Sequence, residues 1–279
     1  MKSELPTINI MGTDFIVDVE KFELREKTDE SNKLILADWH EKGNGYGFYY
    51  DTSVKNTPYD PGYRNNTTSY VTIPEFVKMA PQEMANKYGI TLDEVNGKSD
   101  FELMVDQKAY DERVNKGMLP TIDIAGHTFY VDIRMDMLRP KDDFLSNGIV
   151  FSDIDNYFDE ERNAFFIPYD PKKHEFREID YETITAIPKD LMVVSFPNQT
   201  ILDPIGWNRQ FGSKLTYGLK DKELKSQFTA KPASWEDIYV PQKIKENLER
   251  IKEKPKKEKL QNNPIVPPKN QQEKKGRKI

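Results

Sequence analysis

The chain contains no cysteine. Disulfides, thiolate nucleophiles and Cys-based zinc sites are therefore excluded, and a reducing compartment is the expected setting. Long apolar runs are missing too. The opening MKSELPTINI has no continuous apolar stretch of the kind a secretory signal needs, and no window approaches the roughly 20 apolar residues of a membrane span. The expected localisation is cytoplasmic. Without a secretory signal, the N-x-Thr sequons at Asn65, Asn66 and Asn198 are read as chance matches.

Histidine is scarce: His40, His127 and His174 are the only three, and no two stand at a metal-binding spacing. The acidic run SDIDNYFDEE lacks the glycine and the terminal glutamate of a calcium loop and is read as a solvated loop. Phosphate loops, dinucleotide fingerprints, nucleophile elbows and zinc-protease motifs do not occur. No cofactor or metal is expected, and no catalytic residue is singled out.

What is present divides by charge. From Pro241 to Ile279 there are 13 Lys and Arg against 5 Asp and Glu, which leaves 28 basic and 42 acidic residues in positions 1 to 240. An acidic body carrying a net −14 thus precedes a basic end carrying +8. The last part, rich in Lys, Pro, Asn and Gln, has too few large apolar residues to offset chain entropy, so disorder is expected over 255–279.

The body repeats itself. LPTINIMGTDFIVDV at 5–19 returns as LPTIDIAGHTFYVDI at 119–133, 114 positions later. LREK (24–27) is followed by LRPK (138–141), LILADW (34–39) by IVFSDI (149–154), and FYYD (48–51) by IPYD (167–170). TIPEFVKM (72–79) pairs with AIPKDLMV (186–193), and APQEMANKYG (80–89) with DPIGWNRQFG (203–212). A repeat this long predicts a duplicated domain rather than a solenoid. The expected plan is 1–115 and 116–240 as two repeat domains, 241–254 as a C-terminal helix, and 255–279 as a lysine-rich tail.

Within each unit, apolar alternation on both sides of Met11-Gly12 and Ala125-Gly126 predicts a β-hairpin, with Ile8 opposite Phe15 and Ile122 opposite Phe129. Further strands are expected at KLILAD, GYGFYYD, GIVFSDI, NAFFIPYD and LMVVSFP. PQEMANKYG reads as a helix started by Pro81 and stopped by Gly89, and Thr91 as the cap of another. That second helix would present Asp93 and Glu94, so the pair is read as packing rather than DNA recognition. The fold class is α+β, mainly antiparallel, and Ile244, Leu248 and Ile251 are expected to face inward before Pro255 ends the last helix.

Hairpin geometry explains the repeated apolar residues. It leaves the repeated polar ones: Asp18 and Asp132, Arg25 and Arg139, Lys27 and Lys141, with Asp38/Asp153 and Asp51/Asp170 further along. Each set forms either an ion pair or turn cap within its unit, or a polar patch that meets a partner once per unit.

LPTIDIAGHTFYVDIRMDMLRPKDDF together with the terminal KKGRKI resembles an uncharacterised family of accessory proteins carried by gut bacteria, some of them on conjugative elements. The resemblance covers most of 1–250 and implies a mobile-element association. It brings no established activity and no site residues.

The expected function is a non-catalytic binding or adaptor protein. Its duplicated body holds a protein partner, while Lys256, Lys257, Lys259, Lys274, Lys275, Arg277 and Lys278 add weak, sequence-independent contact to nucleic acid. The alternative is an inhibitor whose acidic body imitates nucleic acid in the groove of a DNA-binding enzyme. A hydrolase of undefined type is the third class.

Overall fold

In the computed structural model the described residues are 5–60, 62 and 65–261, with backbone only for 254–261. The chain folds as α+β with mostly antiparallel sheets. In the first half β1 (Thr7–Ile10), β2 (Thr13–Asp18), β3 (Glu23–Glu26) and β4 (Asp29–Ile35) form one sheet in sequence order. A second sheet holds β5 (His40–Lys42), β6 (Gly45–Asp51) and β7 (Thr68–Pro74). Five short helices follow: α1 (Phe76–Met79), α2 (Pro81–Tyr88), α3 (Leu92–Asn96), α4 (Asp100–Met104) and α5 (Gln107–Val114).

The second half follows the same order as far as its second helix and has no counterpart of α3, α4 or α5. β8 (Thr121–Ile124), β9 (His127–Asp132), β10 (Met137–Pro140) and β11 (Ile149–Val150) make the first sheet. β12 (Phe158–Asp159), β13 (Ala164–Asp170), β14 (Glu175–Phe176) and β15 (Met192–Pro197) belong to the second. Then come α6 (Gln199–Leu202) and α7 (Pro204–Gln210). Two additions have no counterpart earlier in the chain: β16 (Gln227–Thr229) joins the edge of β8, and β17 (Lys231–Ala233) joins β15. α8 (Val240–Gln261) closes the described chain.

The registers coincide. Ile8 faces Phe15 and Ile122 faces Phe129; Val17 faces Leu24 and Val131 faces Leu138; Gly45 faces Pro74 and Ala164 faces Pro197. Both hairpins turn through two residues of positive φ, Met11 (48°) with Gly12 (89°) and Ala125 (54°) with Gly126 (87°). That is the type I′ geometry matching the right-handed twist of the strands. α2 and α7 each start with Pro and are followed in chain order by a left-handed glycine, Gly89 (64°) and Gly212 (69°).

One expected pairing of the repeat is corrected. The proline that shares Pro74's register position is Pro197 of SFPNQTIL (195–202), not Pro188 of AIPKDLMV, and Ala80 and Asp203 each stand immediately before a helix that starts with proline. An Ile-Pro dipeptide in the preceding loop imitates the strand end, and spacing alone does not separate the two.

Each half has its own core. Phe15, Val17, Leu24 and Leu34 from the first sheet meet Tyr46, Phe48 and Tyr50 from the second, with Trp39 stacked between Phe48 and Phe76. In the second half Phe129, Val131, Leu138 and Ile149 meet Phe165, Ile167 and Tyr169. A third cluster ties the halves together, because Val105 and Ala109 beside and on α5 pack with Ile205, Leu219 and Leu224.

α8 departs from expectation twice. Beyond the buried Val240 at its start, its buried residue is Asn247, whose Nδ2 donates to the carbonyls of Tyr181 and Ile184 at 3.0 and 2.8 Å. Ile244 packs against the body, but Leu248 and Ile251 are 39% and 53% exposed. The helix also continues through Pro255 to Gln261 instead of stopping at 254. Proline removes one backbone donor, while Lys- and Glu-rich turns on both sides have high helix propensity and carry the helix past it. α8 thus extends to Gln261, and positions 262–279 of the expected tail lie outside the described residues.

Candidate functional site

The repeated polar residues form the same device in both halves. Asp18 pairs with Arg25 (3.3 Å), and its Oδ1 accepts the backbone N–H of Glu20 and Lys21. Asp132 pairs with Arg139 (3.8 Å), and its Oδ1 accepts the N–H of Met135. Each aspartate therefore ties β-strand neighbours together and caps the turn between them. Arg25 is engaged further by Glu30 and Glu23, whereas Arg139 lies 5.0 Å over the ring of Tyr130.

Lys27 and Lys141 are equivalent too, their N–H groups donating to Asp14 and Thr128 at 2.9 Å. Here the halves diverge. In the first, the chain turns from Lys27 straight into β4 at Asp29. In the second, Lys141 begins an excursion that returns only at Gly148.

This excursion is pinned at several points. Asp143 accepts from the N–H of Leu145 (3.0 Å) and contacts His174 Nδ1 (2.8 Å); Ser146 Oγ donates to the His174 carbonyl (2.9 Å); Asn147 donates from N and Nδ2 to Glu175 (2.8 and 3.1 Å). Gly148 (φ 73°) closes it where an added Cβ would lie 2.5 Å from the Leu138 carbonyl oxygen. Hydrogen bonding from His174 holds the Asp143 carboxyl below the usual range. His174 in turn stacks flat on His127, ring centroids 3.7 Å apart and 3° from parallel. Burial first, and the neighbouring His174 second, hold His127 below its ordinary value. At the apex Phe144 and Leu145 are 93% and 95% exposed.

In the first half, a cleft of about 1070 Å³ opens beside Asp38, His40, Tyr49, Asp51 and Tyr59. Its polar atoms are largely committed within the chain. Asp51 accepts from Ser53, Thr67 and Asn65, and these bonds hold it far below the usual carboxylate range. Glu26, bonded by Asn32, Lys55 and Thr28, is lowered from 4.5 to about 2. His40 stands apart from the stacked pair, and among the described residues no group of three or more His, Asp or Glu is arranged to hold a metal.

Lys256, Lys257 and Lys259 fall on the last turns of α8, while Lys274, Lys275, Arg277 and Lys278 lie outside the described residues. No helix among the described residues is long and apolar enough to cross a membrane. Sequence reasoning missed Phe144 and Leu145, although a signal was there: two adjacent large apolar residues without alternation inside the turn-rich KDDFLSNG. Compared with family models, curated proteins and solved structures, the chain matches none.

Proposed function

We propose that the chain is a tandem duplication serving as a non-catalytic binding protein in the cytoplasm, with the pinned loop 141–148 as its main contact. The observation that carries this reading is the full exposure of Phe144 and Leu145 on a loop held by side-chain and backbone hydrogen bonds. Each such side chain gains about 1.5–3 kcal/mol when buried. Presented without loop-ordering cost, the two act as anchors for an apolar pocket on a partner protein. Asp142 and Glu175 at the rim favour a partner whose pocket is edged by basic groups.

The arrangement of carboxylates supports an adaptor over a nucleic-acid imitator. Asp18, Glu26, Asp51, Asp132 and Asp203 are each engaged by cations, caps or amides within the chain rather than free to imitate a phosphate row. The lysine-rich end adds sequence-independent electrostatic contact with nucleic acid, and a mobile-element role rests on the resemblance alone.

The test compares capture from native lysate by the wild-type chain and by a Phe144→Ser/Leu145→Ser variant, with and without nuclease. The expected outcome is a protein partner that survives nuclease treatment and is lost with the variant, whose thermal melt is unchanged. Equal capture by both proteins overturns the loop's role.

A further inference from the structure

The two halves treat one strand edge differently. In the second half, β16 runs parallel along the outside of β8, with Gln227, Phe228 and Thr229 beside Thr121, Ile122 and Asp123. The Thr121 N–H donates to the Ser226 carbonyl (2.9 Å), and the Asp123 carbonyl accepts from Ala230 (2.8 Å). Ile122 is 0% exposed, and Phe228 packs on the same core.

In the first half the equivalent edge is open. β1 ends its sheet, and among the described residues no strand pairs with its outer side. The pairing of Ile8 with Phe15 and of Ile10 with Thr13 spends the backbone groups of Ile8 and Ile10 on β2. Those of Thr7 and Asn9 point outward, as those of Thr121 and Asp123 do. Thr7 and Asn9 are exposed, and Ile8 is only half-buried where Ile122 is fully covered. An edge is commonly blunted by lysine, proline or a bulge. Thr7-Ile8-Asn9-Ile10 contains none of these.

We infer that β1 is a strand-addition site for an extended segment of a partner protein, bound parallel to β1, with an aromatic residue between two polar ones and basic residues at its flanks. The chain itself supplies the template. β16 is the core of Lys225-Ser-Gln-Phe-Thr-Ala-Lys231, which places an aromatic ring over Ile122 and a lysine on either side. Charge favours the same chemistry on the open edge, because positions 1 to 115 hold 21 Asp and Glu against 13 Lys and Arg. Main-chain bonds to Thr7 and Asn9 give affinity, and the ring covers Ile8. This inference rests on the proposed equivalence of the two halves but not on the loop 141–148.

The test titrates the ¹⁵N-labelled full chain with the synthetic peptide Lys-Ser-Gln-Phe-Thr-Ala-Lys. Saturating peptide is expected to shift the Thr7 and Asn9 amides and to slow hydrogen exchange at Thr7 at least roughly tenfold. A peptide with Ala in place of Phe should bind more weakly. Thr7→Pro, which deletes an outward donor at a position where an edge strand tolerates proline, should abolish the shifts and leave amide signals outside β1 in place.

Shifts at Thr121 to Asp123 would mean that the peptide merely displaces β16, and the inference falls. It also falls if Thr7→Pro binds equally, if no site saturates, or if the peptide-free chain is a dimer that Thr7→Pro makes monomeric, since a second copy then occupies the edge. Partner capture that persists through Phe144 and Leu145 while the peptide fails would remove this inference and leave the adaptor reading standing.

Discussion

Arg113 and Asp203 carry the sharpest energetic consequence in the fold. Asp203 is fully buried and Arg113 nearly so; Nε lies 3.0 Å from both carboxylate oxygens and Nη2 lies 2.8 Å from Oδ2. Asp203 also caps α7 by accepting from Gly206 N–H at 2.8 Å. Replacing Arg113 by Met leaves a buried carboxylate with one remaining donor, which should cost about 3–5 kcal/mol. Asp203→Ala strands the guanidinium and removes the cap, with a similar cost. The double variant should cost only about 1–2 kcal/mol, because an apolar pair replaces an ionic one and only the cap is lost. The first half indicates that this is feasible, since Ala80 stands where Asp203 does and Glu83 where Gly206 does. Gly206 itself is required by the pair: a Cβ there would meet Asp203 Oδ2 at 2.0 Å. Urea unfolding followed by tryptophan fluorescence, arranged as a double-mutant cycle, measures all four species. If the double variant costs as much as the two singles together, or Arg113→Met costs less than about 1 kcal/mol, the pair is not a buried linchpin.

Gly126→Val should lower stability by about 1–3 kcal/mol, from backbone strain alone, since nothing lies within 4 Å of the added Cβ and φ is 87°; an unchanged melt contradicts the turn. Glu26 favours its carboxylate in the fold, so its contribution is complete above about pH 4.5 and is lost as pH falls toward 2. Glu26→Gln should therefore flatten the stability curve in that window, as urea melts between these pH values would record. His127 is lowered from 6.5, so the unfolded chain takes its proton more readily and stability declines as pH drops below that value. His127→Thr, which installs the residue found at position 13, should remove this decline; an imidazole titration of His127 at or above 6.5 would refute it.

Local signals were legible in the sequence, and non-local ones were not. The hairpins, the glycine stop after α2 and the Thr91 cap of α3 each depend on residues within a few positions, and each stands as expected. The stack of His127 on His174 joins residues 47 positions apart, one at the start of β9 and one in a turn, and nothing in composition or spacing announces it. β16 is equally obscure, because a three-residue parallel edge strand has no periodicity to read. α8 shows a subtler failure. An i, i+4, i+7 apolar pattern promised Leu248 and Ile251 to the core, but two backbone carbonyls at Tyr181 and Ile184 needed a donor, and Asn247 took the inward face.

The start of the helical segment after Pro74 and Pro197 shows two halves meeting one backbone requirement with different side chains. In both halves a strand ends in proline and a four-residue helix begins at once, exposing N–H groups that need acceptors. The second half answers locally, with the Asn198 side chain accepting from Ile201 N–H at 3.2 Å. In the first half Glu75 makes no such cap, and the acceptor is the fully buried Asp100 of α4, which takes the N–H groups of Phe76 (2.7 Å) and Val77 (2.9 Å) and the hydroxyl of Tyr46. Burial, and then the adjacent Asp100 charge, push that hydroxyl far above its ordinary range, so it remains a donor. Lys220 from the second half lies 4.6 Å over the same ring and 3.5 Å from Glu41, so the solution adopted by one half is completed by the other. Backbone requirements are thus shared between the halves while the side chains that meet them are not. Residue-by-residue similarity is lost wherever an acceptor can come from a distance, and it persists where, as at Asp18 and Asp132, the partners must be neighbours.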